Sequence, residues 1–307
     1  MVPTGDDRER IRGALLGLAV GDALGAPLEG ATPDEAAPAA RRGLEMTGGR
    51  GWAPGEWTDD TAMALALAES IAERGLLDAD DLAARYIAWA TADGKGIGRA
   101  TARALIGGLG ADDARARARA HLEATGLAAG NGTVMRATPI GLAARSVAEA
   151  AHAARRDAEL THADPVTGAA SAAVCAALLA LRDDDDPLRA ARGQAAADRR
   201  LGDALGAVGR DEHALARLAA GPQAGACWTT LALALHALVT RDDYERGLTW
   251  VIAQGGDADT NAAVAGALLG CRHGAGAVPE RWLNSLLARQ RIERAAEGLV
   301  APPPPIA

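Results

Sequence analysis

Apolar residues recur along most of this chain at helical spacing and seldom alternate. Runs at 8–24, 60–74, 79–91, 98–109, 112–125, 147–157, 165–182, 211–219, 226–240, 242–253, 259–271 and 279–296 predict helices. Ala and Leu dominate them, and Ala is the strongest helix former. The alternation of β-branched residues that marks a strand is almost absent, so no sheet is expected. Glycine and proline punctuate the pattern. Residues 47–56 form a Gly-rich loop, Ala129-Gly130-Asn131-Gly132 opens a short helix that Pro139 interrupts or restarts, and Gly255-Gly256 precedes the helix at 259–271. Residues 183–210, with an Asp183–Asp186 run followed by Arg-rich sequence, read as a variable surface region of solvated loop and exposed helix. Pro302–Pro305 cannot be helical. The expectation is one all-α domain over residues 1–300, an orthogonal helical bundle, with a disordered Pro-rich tail at 301–307.

Composition sharpens this. The 307 residues are 49% hydrophobic but only 3% aromatic, with no Phe, so the core must be built from Ala, Leu, Val and Ile. Small side chains let helices approach closely, which favours an all-helical body. The net charge of −8 argues against a nucleic-acid footprint, which needs a basic face. Cys175, Cys227 and Cys271 are odd in number and lie in apolar surroundings, which predicts free buried thiols in a reducing compartment. The N-terminus mixes Asp6, Asp7, Arg8, Glu9 and Arg10, and Asp22 cuts the apolar run that follows. That is no secretory signal, and no run reads as long enough to span a membrane. A cytoplasmic monomer is expected.

Two acidic clusters near opposite ends of the chain carry the chemistry: Thr58-Asp59-Asp60-Thr61 and Asp257-Ala258-Asp259-Thr260. Each follows glycine and opens a helix. Alone, either reads as an ordinary cap, because Thr at a helix start and Asp in its first turn are common. Together they suggest more. Oxygen-only donor sets suit hard cations such as Mg²⁺ or Mn²⁺, and two clusters meeting in space would make a two-metal site. Asp59 and Asp60 can converge only at an irregular helix start, which the preceding glycines permit. Asp22 interrupts an apolar helix, where an unpaired charge is costly. Glu29 lies on a loop after Gly25 and Pro27. Gly130-Asn131-Gly132 could bring backbone N–H groups to a phosphate, with Arg136 adding charge, or could be a plain turn. His162 could donate to an anion or be a structural hydrogen-bonding residue.

These segments, in this order, resemble the ADP-ribosylglycohydrolase family over residues 10–285. Arg12–Gly17, Gly21–Gly25 with Glu29, Trp57–Thr61, Gly130–Gly132 with Met135-Arg136 and Pro139, Thr161-His162, Gly255–Thr260 with Gly266–Gly270, and Pro279 before Trp282 carry the likeness. The resemblance implies a metal-dependent hydrolase that releases ADP-ribose by cleaving its ribosyl C1″ bond to an acceptor. It implies two Mg²⁺ or Mn²⁺ ions held by Thr58, Asp59, Asp60, Asp257, Asp259 and Thr260, Glu29 as catalytic carboxylate, and Gly130, Asn131, Gly132 and His162 as ligands of the diphosphate. The implied partner is an ADP-ribosylated protein or a small ADP-ribose conjugate. Arginine-directed members carry an acid in the loop where this chain has Gly96-Ile97-Gly98-Arg99, so a non-arginine or non-protein conjugate stands as the alternative, as does a non-catalytic ADP-ribose binder. Trp52, Trp57 and Trp228 are candidates for stacking on adenine.

Overall fold

The computed structural model describes residues 5–126 and 129–300. Among them run seventeen α-helices: α1 (Gly5–Gly25), α2 (Pro33–Arg41), α3 (Asp59–Arg74), α4 (Ala79–Ala92), α5 (Arg99–Leu105), α6 (Ala111–Thr125), α7 (Thr138–Ala143), α8 (Val147–Ala158), α9 (Pro165–Arg182), α10 (Pro187–Ala195), α11 (Arg199–Ala207), α12 (Glu212–Ala220), α13 (Cys227–Thr240), α14 (Tyr244–Ala253), α15 (Ala258–His273), α16 (Glu280–Ser285) and α17 (Arg289–Val300). The described residues form no strand, only isolated bridges. The tail expected to be disordered lies outside the described residues.

The most extensive helix pair joins the two ends of the chain: α1 lies antiparallel against α15. The cause is a glycine every fourth residue of α1. A Cβ on Gly13, Gly17 or Gly21 would stand 2.2, 2.2 and 2.1 Å from the carbonyl oxygens of Gly270, Gly266 and Ala262. No side chain separates the backbones there, so the helices touch along a full face. The Tyr244 hydroxyl of α14 donates to the Gly17 carbonyl at 3.0 Å, closing one flank of the seam. This contact sets the C-terminal end of α1 beside the N-terminal end of α15, where one acidic cluster sits.

Around the seam pack α9 and α13, whose residues are buried on nearly every side. The core is built chiefly from Ala, Leu, Val and Ile, and all three cysteines are buried and free. The expectation that no segment could span a membrane needs correcting on length and composition. Asp6–Leu28 and Pro165–Arg182 are both long and apolar enough, but each is 83% buried inside the protein. They are the central helices of the core.

Other boundaries also differ from expectation. Thr32 opens α2 with a reciprocal capping box to Glu35, although Pro38 lies inside the helix. Residues 183–210 hold two further helices, α10 and α11, whose Ala191, Ala195, Leu201 and Leu205 are buried. The run at 279–296 breaks into α16 and α17 because Ala288 adopts φ 55°. Pro139 begins α7, so it restarts the helical path.

Candidate active site

The site is assembled from α1 outward. Asp22 is fully enclosed, and its carboxylate accepts from the Thr58 N–H at 2.9 Å, the Thr61 N–H at 3.0 Å and the Thr61 hydroxyl at 2.6 Å. Burial pushes its carboxyl up to about 6, and these donors pull it down. Asp22 thereby satisfies N–H groups at the start of α3 that a helix leaves without partners. Thr58 caps the same helix, accepting from the Asp60 N–H at 3.3 Å. The start of α3 is thus pinned to α1, and α1 is pinned to α15.

The consequence is convergence of the two clusters. Asp60 Oδ2 accepts from the Thr58 hydroxyl at 3.1 Å and from the Thr260 hydroxyl, across the chain, at 3.4 Å. Asp257 stands at the N-cap position of α15, yet its side chain makes no capping bond. Asp60 Oδ1 and Asp259 Oδ1 are buried with no hydrogen-bond partner. The ordinary capping role therefore accounts for Thr58 but not for the four aspartates.

Electrostatics agrees. Burial pushes the Asp59 carboxyl up to about 8, with the charges of Asp22, Asp257 and Glu29 adding to the rise. Asp60 is raised well above the carboxylate range by burial and then by Asp22, Asp59 and Asp257. Asp259 is raised likewise by burial and then by Asp257, Asp60 and Glu29. Buried like charges without a counter-charge are strongly unfavourable, and a divalent cation would remove that penalty. Among the described residues, no three His, Cys, Asp or Glu side chains stand ready-made around a cation position. Thr58 and Thr260 add hydroxyl oxygens beside the four carboxylates. The orphaned oxygens and mutual repulsion show that this donor set fits hard cations.

Glu29 lies at the mouth, on the loop following a 3₁₀ turn at Ala26–Leu28. The Gly30 N–H donates to the Gly256 carbonyl at 2.7 Å and the Gly256 N–H to the Ala31 carbonyl at 2.8 Å. This two-bond strap ties the Glu29 loop to the Asp257 loop. Gly256 has φ 68°, and a Cβ there would meet the Ala219 carbonyl at 2.1 Å, so glycine is required. Arg50 also holds the Glu29 carbonyl. Partial burial and the Asp257 charge raise the Glu29 carboxyl, and Arg50 opposes them. A cavity of ≈ 400 Å³ opens beside Glu29 and Asp257. A larger one of ≈ 920 Å³, between α2 and α14, is lined by no residue of either cluster.

On the other flank, Gly130 pairs with Ala226 in a short antiparallel bridge. Asn131 donates from its backbone to the Gly225 carbonyl at 3.1 Å, and from its amide to Asp257 Oδ2 and Thr230 Oγ1, both at 2.9 Å. Those bonds use every donor that Asn131 has. It bridges the glycine loop to the acidic cluster, and its N–H groups are all engaged within the protein. Thr230 donates onward to Asn261 at 2.7 Å. The His162 ring lies against the loop; a Cβ on Gly130 or Gly132 would stand 3.2 or 3.0 Å from it. His162 Nδ1 shares a hydrogen with the Thr161 hydroxyl at 2.9 Å. Burial, with Arg136 and His121 nearby, pushes the imidazole down to about 3, so it is neutral at pH 7.

Arg136 does not add charge to the loop's open side. It is fully buried and paired with Asp157. Gly96 (φ 88°) packs against Asp59, where a Cβ would stand 2.9 Å from Oδ1 and 3.3 Å from the Trp52 ring. Lys95 lies 4.1 Å from that ring's centroid and pairs with Glu56 at 2.6 Å. The Trp57 indole donates to the Leu287 carbonyl, and Trp228 lies beneath Arg200. Sequence reasoning missed Asp157 and Thr230 as parts of this arrangement.

The ADP-ribosylglycohydrolase family profile matches residues 3–304. The ADP-ribosyl-[dinitrogen reductase] glycohydrolase of Rhodospirillum rubrum is 33% identical over 305 residues, covering 95% of this chain and 96% of its own. The ADP-ribosylarginine hydrolase Tri1 of Pseudomonas putida is 29% identical, covering 95% and 78%. A solved structure titled ADP-ribosylglycohydrolase-related protein complex aligns with a TM-score of 0.69 at 34% identity, over 97% of this chain and 99% of that one. By profile, relatives and architecture alike, this chain belongs to the ADP-ribosylglycohydrolase family, a family of glycosidic-bond hydrolases.

Proposed function

We propose that this protein removes ADP-ribose from an ADP-ribosylated protein side chain by hydrolysing the ribosyl C1″ bond, with two Mg²⁺ or Mn²⁺ ions bound. The observation that carries this reading is the buried acidic cluster with orphaned Asp60 Oδ1 and Asp259 Oδ1, set between Glu29 and the glycine loop. Thr58, Asp59, Asp60, Asp257, Asp259 and Thr260 would hold the ions. When bound, such ions supply positive charge that orients sugar hydroxyls and polarises water. Cleavage of a ribosyl bond passes through an oxocarbenium-like state. Glu29, with its carboxyl raised, is suited to take a proton from water or deliver one to the leaving group. The Gly132 and Thr133 N–H groups donate to no described backbone carbonyl, and with neutral His162 they would receive the diphosphate.

A second reading concerns the acceptor. The wall beside Asp59 is formed by Gly96 and Trp52, and the Glu56 carboxylate there is already held by Lys95 and the Ala53 N–H. A guanidinium acceptor needs an unengaged acid, so this wall favours a neutral acceptor or a small non-protein conjugate. Incubation with Mg²⁺ and arginine-, serine- and nucleobase-linked ADP-ribose conjugates, followed by assay of free ADP-ribose, tests both readings. Release that survives EDTA and Asp59→Ala refutes the metal-dependent reading. Tight ADP-ribose binding without turnover of any conjugate refutes hydrolysis.

A further inference from the structure

Arg136 and Asp157 form an ion pair with both side chains fully enclosed. Each of the three guanidinium nitrogens donates a bond. Nε donates to Asp157 Oδ2 at 2.9 Å, Nη1 to the Gly132 carbonyl at 3.0 Å, and Nη2 to the Asp157 main-chain carbonyl at 3.0 Å. The fourth partner is Tyr86 of α4. Its hydroxyl donates to Asp157 Oδ1 at 3.1 Å, and its ring lies 4.8 Å from the guanidinium carbon.

The two carbonyls that Arg136 grips belong to the two segments flanking the proposed diphosphate subsite. Gly132 is in the glycine loop. Asp157 lies in the last turn of α8, and its carbonyl also accepts the Leu160 N–H at 3.1 Å in the turn leading to Thr161 and His162. In a planar trans peptide the C=O and N–H point in opposite directions. Holding the Gly132 carbonyl against Arg136 therefore turns the Thr133 N–H to the opposite side of the loop. The same grip fixes the spacing between the loop and the His162 ring, which leaves no room for a Cβ on Gly132. A buried ion pair is weak evidence for stability, since apolar replacements of similar volume are often neutral or stabilising. A planar fork joining two loop segments is a geometry that Lys cannot supply.

We infer that Arg136, Asp157 and Tyr86 are positioning residues that hold the Gly130–Gly132 loop and the His162 turn in the register needed to bind the diphosphate of ADP-ribose. The inference rests on reading that cradle as the diphosphate subsite. The test uses the full chain, ADP-ribose as probe, calorimetry for Kd, steady-state kinetics on a conjugate the wild type hydrolyses, and thermal melts with and without Mn²⁺. The variants are Arg136→Met combined with Asp157→Leu, and Tyr86→Phe.

The expected result for the double variant is a cooperative melt and a normal Mn²⁺-induced rise in Tm, because the acidic cluster is untouched. Its Kd and KM should rise about tenfold or more while kcat changes less than about threefold. Tyr86→Phe should shift Kd and KM in the same direction by about threefold, and it decides the matter if the double variant fails to fold. Kd and KM within twofold of wild type in the folded variants would leave the network purely structural and overturn the inference. Should the wild type fail to bind ADP-ribose while Mn²⁺ still raises its Tm, the diphosphate subsite itself falls, and this inference with it.

Discussion

Without cations, the charge of the acidic cluster should make folding weaken as pH rises, and Asp59 shows by how much. The unfolded chain ionises this carboxyl near its usual 3.8, whereas the folded protein keeps its proton up to about 8. Between those values the unfolded state binds fewer protons, so stability falls as pH climbs and levels off above about 8. Raising one carboxyl that far corresponds to about 6 kcal/mol as an upper bound. Relaxation and water penetration reduce it, and about 2 kcal/mol remaining would lower Tm by about 3 °C in a domain of this size. The assay is a series of melts in EDTA from pH 5 to 8.5, for wild type and Asp59→Asn. Taking the difference between the two proteins removes titrating groups that do not feel Asp59, and leaves Asp59 together with the cluster carboxyls coupled to it. The wild type should lose Tm relative to the variant as pH rises, and Mn²⁺ or Mg²⁺ at pH 8 should restore it in the wild type more than in the variant. A difference that stays flat from pH 5 to 8, or no response of the wild type to either cation, would refute the reasoning.

Three further outcomes are expected. Glu29→Gln should lower kcat by about 10²-fold or more while leaving Tm and ADP-ribose affinity near wild type, measured by turnover and calorimetry. Asn131→Ala removes the amide bonded to Asp257 and Thr230; about 1–2 kcal/mol of stability and most of the activity should be lost together, as seen in denaturant titration and turnover. Gly266→Ala places a Cβ 2.1 Å from the Gly17 carbonyl. Overpacking should outweigh the gain in helix propensity and lower stability by about 1–3 kcal/mol, with a weaker Tm response to Mn²⁺ because α15 carries Asp259 and Thr260.

The helical class and the pairing of the acidic clusters were legible because both are written locally. Long Ala/Leu runs specify helices, and glycine followed by carboxylates and a hydroxyl marks each acidic segment. Nine-residue helices were harder. Pro38 masked α2 although Thr32 and Glu35 spell out its capping box, and the Asp183–Asp186 run hid that Asp186 caps α10. Tertiary partnerships left no local trace. Arg136 meets Asp157 across 21 positions and Asn131 meets Asp257 across 126. Neither pair lies within one helix or loop, so nothing local tied Arg136 to Asp157 or Asn131 to Asp257.

The backbone-to-backbone seam between α1 and α15 also has a consequence in time. Its two sides are separated by almost the whole polypeptide, and closing so long a loop is entropically slow. During synthesis the residues that anchor α3 emerge first, yet Asp259 and Thr260 can join them only after more than four-fifths of the chain has been made. A nascent or prematurely terminated product that stops before α15 therefore has one acidic cluster and no second one to meet it, so any activity that needs both should arrive in one step, late.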